Sequence, residues 1–480
     1  MGLKSASPGI GLRALSAALL VLWLSGTSSV VGADEGEPDL AAPEMESVYD
    51  PYQGMERNGR IPRIDKSIYV DHPDRWRYIP EGRIKPGNPL RRFLVSSFVV
   101  PLFFQSADVG TGFGAGMTDI DFRNQRRREF LGGFFSYTTE GQQSYVARWR
   151  RWLRHMDVSG GGVLQEERSY LRAGGGYRKT LTRRFYGIGP STQERQETSF
   201  TDEIIFVDLG YSRSLEGALD DFVLEFGLLG EAHWLDRGRV SGVEGEIDVD
   251  PENDPVNPNN PLDPGTFTLF KEADEVALGW LSTSLRWDTR DSQRNPYRGT
   301  AIGASANAAL AQTGGRVGAL YRIFADQIFT LPPIFHDGGS EDEEHPPTDS
   351  LAFHFESQLS SGSLPFFSRP TLGGDQLLRG YIAGRWRDDA AWAAVSEYRF
   401  WVVPRGVTIW RHIRVERIGA ALFYEVGGVA ENGSGFFHER VRQSYGISGR
   451  ATIERAALFR ADLGFSEEGL NFSAGFGLAF

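Results

Sequence analysis

Few side chains in this sequence are spaced for catalysis. The string Gly210, Tyr211, Ser212, Arg213, Ser214 departs from the Gly-x-Ser-x-Gly nucleophile elbow, no His-Glu-x-x-His zinc motif occurs, and the eight histidines are scattered. Cysteine is absent, which removes thiolate nucleophiles, thiolate metal sites and disulfides. The acidic residues Asp248, Asp250, Glu252 and Asp254 superficially suggest calcium, but the run lacks the mid-loop glycine of an EF-hand. No metal, cofactor or enzymatic activity is therefore expected. What the charges do offer is ion pairing. Arg286, Asp288 and Arg290 share one face of a segment whose other face carries Leu285, Trp287 and Thr289, a stripe that suits a solvated sheet or a polar lumen. Arg379, followed by Gly380 and Tyr381, stands on a glycine-flanked stretch; folded inward and enclosed, its guanidinium would need a carboxylate. Two carboxylates are in suitable patterns: Glu425, which shares a face with Gly419, Ala421 and Phe423, and Glu397, opposite in sense to Tyr398.

The elements that must hold these charges read as strands throughout. The last residues alternate, with Leu470, Phe472, Ala474, Phe476, Leu478 and Phe480 on one side and Asn471, Ser473, Gly475, Gly477 and Ala479 on the other. Large aromatics on one face with glycine and serine on the other suit a wall between lipid and a lumen. Similar segments are read at 93–106, 112–122, 129–139, 143–153, 164–182, 201–214, 222–235 and 276–290. They continue at 300–312, 316–330, 351–359, 394–403, 417–429, 443–453, 456–464 and 470–480. The expectation is an all-β, antiparallel transmembrane barrel of about 16 strands, within the range of bacterial barrels. The 58 glycines, 32 phenylalanines, 16 tyrosines and 11 tryptophans fit such a wall and its aromatic girdles.

The N-terminal stretch has Lys4 and Arg13, an apolar run over 14–24 that is too short to span a membrane as a helix, and Ala33 before the acidic start at Asp34. It is read as a secretory signal over 1–33, cleaved after Ala33. Residues 34–92 are acidic, rich in proline and without sustained periodicity, which predicts an extended or loosely folded periplasmic arm; Tyr49, Tyr52, Tyr69, Trp76 and Tyr78 leave open a small plug. The barrel is expected over 93–480. Long connections at 183–200, 238–273 and 361–391 alternate with short turns, as two different barrel rims require. The acidic insert 336–349 breaks that rule, so either one turn is unusually long or a strand is miscounted. A net charge of −12 argues against nucleic acid as a partner, and the barrel reading makes outer-membrane lipid the expected one.

The string from Gly373 through Asp375, Arg379, Gly380 and Tyr381 to Arg385 and Asp388 closely resembles the loop signature of the bacterial surface antigen superfamily, the outer-membrane barrels of the BamA and TamA type. Asp288, Thr289, Arg290 and Asp291 with Pro296 and Gly299, then Glu397 and Arg399, then residues 462–469 agree with that family in order and spacing. The resemblance covers about 93–480. It implies a loop locked inside the barrel by Arg379, Gly380 and Tyr381, with Glu425, standing where the family usually has aspartate, or Glu397 as the partner. It implies that Phe480 belongs to a C-terminal assembly signal. It also implies assistance to the insertion or translocation of proteins at the outer membrane, with unfolded client proteins or a periplasmic factor as partners. The family's chain-handling members carry polypeptide-transport-associated (POTRA) domains, and 34–92 is too short for a convincing one. The alternative expectation is a passive channel or structural barrel.

Overall fold

Every strand that positions the charges is built on a two-residue period, and the wall inverts the usual order of a soluble protein. In the computed structural model, residues 60–80, 97–106, 109–240, 275–410, 413–436, 438–453 and 457–480 are described, with 54 and 56. The expected signal at 1–33, the arm before residue 60 apart from 54 and 56, its end at 81–92 and the acidic run near Asp248 lie outside the described residues. A 16-strand antiparallel meander rolls into a barrel. Its strands are β1 (Ser97–Ser106), β2 (Gly110–Asp119), β3 (Glu129–Thr138), β4 (Gln143–Trp152), β5 (Tyr170–Phe185), β6 (Thr198–Ser214), β7 (Phe222–Arg237) and β8 (Glu275–Asp288). They continue as β9 (Gly299–Gln312), β10 (Gly318–Leu331), β11 (Asp349–Gly362), β12 (Ala390–Val403), β13 (Ile413–Ala430), β14 (Arg442–Ile453), β15 (Ala457–Ser466) and β16 (Gly469–Phe476). A short strand, Val407–Trp410, pairs with the start of β13 and extends β12 past a bulge.

Phe103, Phe113, Val207, Leu228, Ile302, Ile323, Leu422 and Leu470 stand exposed on the outer face. Asp288, Glu397, Glu425, Arg450 and Asp462 are buried on the inner one. Apolar side chains outside and charged ones inside are the signature of a wall whose outer solvent is lipid. Cross-strand aromatics reinforce the outer band: Tyr145 stacks on Tyr177 at 6.0 Å and packs on Phe135 at 5.3 Å.

Two features depart from the sequence reading, and a third decides between alternatives it left open. The segment 164–182 is not one strand: Val163–Glu166 leaves the barrel and joins Trp76–Ile79 and His155–Asp157 in a small three-stranded sheet. The polar residues after it, through Ser169, form a buried turn, with the Leu153 amide donating to the Ser169 carbonyl at 2.9 Å. Second, the alternation ends early. β16 stops at Phe476, Gly477 adopts φ 84°, and Phe480 turns into the lumen, its ring 4.9 Å from that of His354 and beneath the Arg399 guanidinium at 4.8 Å.

Third, the long acidic turn is real and has a structural task. It lies at the rim where β1 begins and β16 ends, here called the near rim, and it holds the N-terminal segment. The Arg63 amide donates to the Asp342 carbonyl and the Glu344 amide to the Ile61 carbonyl, both at 2.8 Å, while the Glu344 carboxylate pairs with Lys66 and Glu343 with Arg405. Across the mouth Arg75 pairs with Asp220 and Asp221, and Arg77 with Glu167 at 3.2 Å. Tyr78 and Leu164, with Ile61, Ile64 and Trp76 around them, give this clasp an apolar centre. Residues 60–79 are thus strapped over the near rim. Replacing Glu343 and Glu344 together by Gln removes two partly buried pairs, and trypsin should then cut within 60–77 about tenfold faster or more. Unchanged cleavage would mean that the apolar packing alone holds the segment.

Candidate functional site: the clamped loop and the charged lumen

The loop between β11 and β12 folds back into the barrel from the far rim, and its base is closed by a two-residue ladder of Thr371–Leu372 with Trp386–Arg387. Gly373 and Gly374 take φ of 97° and 126°, conformations that favour glycine and reverse the chain. Leu378, wholly buried, is held at φ 53°, a left-handed geometry that costs an L-residue about 1–3 kcal/mol and so must be imposed by its surroundings. Those surroundings are apolar. Leu372, Leu378, Tyr381 and Trp386 pack on Ala391, Ala393 and Val429, with Tyr381 edge-on to Trp386 at 4.4 Å.

At the tip Arg379 is 1% exposed and meets three carboxylates. Its Nε donates to Glu425 Oε1 at 2.8 Å, Nη2 stands 2.8 Å from Glu397 Oε2 as a charge contact, and Nη1 lies 3.5 Å from Asp462. The guanidinium also covers the Phe423 ring at 3.6 Å. Glu425 accepts further from the Arg379 backbone amide and from Ser444 Oγ at 2.6 Å, so its oxygens are well used. The sequence left Glu425 and Glu397 as alternatives; the fold brings both to the same cation. It adds Asp462, whose place among the inward positions 458, 460, 462 and 464 of β15 was a readable signal.

The loop backbone is fixed as firmly as its side chain. Asn471 Nδ2 donates to the carbonyls of Arg379 at 2.9 Å and Tyr381 at 3.0 Å, and Ser466 Oγ donates to that of Gly380 at 2.9 Å. Gly380 rests directly on β15: a Cβ there would come 2.5 Å from the Phe465 carbonyl oxygen, and one on Gly464 would come 2.5 Å from that of Arg379. Farther up, Arg385 is buried between Tyr186 and Trp386 and pairs with Glu468 at 2.7 Å. The ascending limb of the loop places Phe366 in an apolar cluster with Phe185, Phe200, Leu278 and Trp280, filling part of the far half of the lumen.

Arg286, Asp288 and Arg290 also face inward, and they open a second charge network. Arg286 pairs with Glu225 and with Asp288 at 3.2 Å; Arg290 bridges Asp288 at 3.0 Å and Asp326 at 3.2 Å. Asp326 continues to His354 at 2.6 Å, and His354 to Glu356 at 3.5 Å. The following turn is tight: Gly299 at φ 109° lies so close to Arg290 that a Cβ would approach its Cα to 2.6 Å. Asp291 in that turn accepts the Tyr297 amide at 3.0 Å, and burial nevertheless pushes its carboxyl up to about 6. Among the described residues no group of acidic and histidine side chains is arranged to hold a metal.

The Omp85 superfamily domain matches residues 246–480, a span that contains the clamped loop, all three of its carboxylates and the strand of Arg286 and Asp288. No curated protein matches the chain. Among solved structures it is similar to BamA from Haemophilus ducreyi lacking POTRA domains 1–3, with 14% identity, TM-score 0.43, and coverage of 82% of this chain and 70% of that one. It is also similar to CdiB from Acinetobacter baumannii, with 10% identity, TM-score 0.43, and coverage of 79% of this chain and 58% of that one. Residues 246–480 of this outer-membrane β-barrel thus carry the match to the Omp85 superfamily domain.

Proposed function

We propose that this barrel assists the insertion or translocation of polypeptide chains at the outer membrane. The observation that carries the reading is the clamped loop: Arg379 enclosed by Glu397, Glu425 and Asp462 in a barrel that matches the domain of this superfamily. In this reading the near rim faces the periplasm, the loop lock holds the barrel wall in one shape, and unfolded outer-membrane proteins or a soluble periplasmic factor are the partners. Phe480 keeps its proposed part in a C-terminal assembly signal. A passive channel is the weaker reading, because Phe366 and its neighbours fill part of the far half of the lumen and the 60–79 segment straps the near mouth.

Depletion of the protein followed by a quantitative proteome of the outer membrane tests this. A fall in several other barrel proteins, with their precursors accumulating in the periplasm, is expected. An unchanged set of barrels together with lost permeability to small solutes would replace the proposal with the channel.

A further inference from the structure

The near half of the lumen contains a cavity of about 520 Å³ on the side away from the clamped loop. Six arginines and three carboxylates line it. Four of those arginines have carboxylate partners: Arg286 and Arg290 in the network above, Arg322 with Glu356, and Arg294 with Glu167 at 3.8 Å. Arg150 and Arg172 have none among the described residues. They are cross-strand partners, directly opposite one another in the β4–β5 ladder, and both face inward. Like charges in direct register destabilise a sheet, so this pair carries a repulsion that an anion between them would remove.

The surroundings are shaped for such an anion. Arg172 lies flat along the wall because the neighbouring inward position is Gly210; a Cβ there would fall 2.3 Å from its Nε. Arg150 is propped over the Tyr170 ring at 4.5 Å, which orients its guanidinium while leaving its N–H groups available. Across the cavity stand Ser282, Ser284, Ser305 and Asn307, hydroxyl and amide donors that make no side-chain hydrogen bond among the described residues. Two planar forks backed by neutral donors match the oxygens of a phosphate group, and the volume, within the range of about 300–1,000 Å³ typical of ligand pockets, exceeds what a bare phosphate fills.

We propose that this cavity is a binding site for a phosphate ester or diphosphate, recognised by the opposed pair Arg150 and Arg172. The same chemistry could come from a phosphorylated lipid headgroup or from a soluble phosphate ester. The site is independent of the loop lock: none of the residues named here touches Arg379.

The test uses the full chain folded in detergent micelles, with pyrophosphate as the probe against chloride at matched ionic strength. Unfolding is followed by loss of the compact, heat-modifiable form. Pyrophosphate should raise the unfolding temperature of the wild type; Arg172→Gln should weaken the half-saturating concentration at least about tenfold, the loss of one charge-assisted contact. The double variant Arg150→Gln/Arg172→Gln should not respond. Without ligand, Arg172→Gln should unfold at a higher temperature than the wild type, a gain that a purely structural arginine would not give. Arg178→Gln, an inward arginine outside the cavity, should respond to pyrophosphate like the wild type. An equal pyrophosphate effect in the wild type and the double variant, or no effect in either, would overturn the proposal. Native mass spectrometry of protein extracted from membranes then separates the sources. A phosphorylated lipid retained by the wild type and lost in the double variant assigns a headgroup; its absence alongside an intact pyrophosphate response assigns a soluble ester.

Discussion

Arg379→Ala is expected to destabilise the barrel by about 3–5 kcal/mol, the usual cost of removing one partner from a buried ion pair. Three buried carboxylates would lose their shared cation at once, and the Phe423 ring would lose the guanidinium above it. Heat-modifiability should be lost at a markedly lower temperature. Arg379→Lys should recover only part of the difference, because an ammonium is a compact point charge that cannot address Glu425, Glu397 and Asp462 together as the guanidinium does. Glu425→Ala removes the acceptor of the Arg379 backbone amide as well as of Nε, so it should be nearly as harmful. Combined with Arg379→Ala it should cost clearly less than the sum of the two, since coupled partners are non-additive. Full additivity of Arg379→Ala with both Glu425→Ala and Glu397→Ala would refute the lock.

Gly464→Ala, a change of one methyl group on the inner wall of β15, should expel the same loop without touching any charge. The added carbon would stand 2.6 Å from the Arg379 carbonyl carbon and 2.6 Å from the Gly380 nitrogen, both backbone atoms that cannot rotate away. The loop must therefore lift, and with it go the bonds from Asn471 and Ser466 that hold its backbone. In the wild type Arg379 and Arg385 are almost wholly buried, so trypsin should not cut after them. In Gly464→Ala the loop should be nicked there in folded protein. Because both changes undo the same docked state, adding Arg379→Ala to Gly464→Ala should cost little more stability. A resistant loop in Gly464→Ala would show that β15 yields instead.

The strand order was legible because the period-two pattern survives in every barrel segment: a wall between lipid and a charged lumen tolerates few exceptions, so each of the sixteen segments read from the sequence has its counterpart. Exceptions arose where tertiary contacts override the pattern. Val163–Glu166 continues into polar residues that alternate well enough to pass for barrel strand, yet it pairs with Trp76–Ile79, a partner far away in sequence. Phe480 extends the terminal alternation on paper, but Gly477 breaks the ladder and turns it inward. Arg379 and its two candidate acids could be singled out from glycine context and face parity. The convergence of both acids on one guanidinium depends on barrel curvature, which no local pattern reports. The acidic turn 336–349 read as an anomaly because its partner segment, 60–79, shows no periodicity of its own; only their backbone pairing at Pro62 and Glu343 explains both.

In the proposed function a barrel with its loop clamped by Arg379 helps client chains into the membrane. The most direct measurement is the folding rate of an unfolded outer-membrane barrel protein, read by its heat-modifiable form, into liposomes containing wild-type protein, the Arg379→Ala variant, or no protein. Clear acceleration by the wild type is expected, and little or none by Arg379→Ala incorporated to the same level and in the same orientation at a temperature where it stays folded. Client folding no faster with the wild type than in empty liposomes, with the wild-type barrel verified as folded, would contradict it.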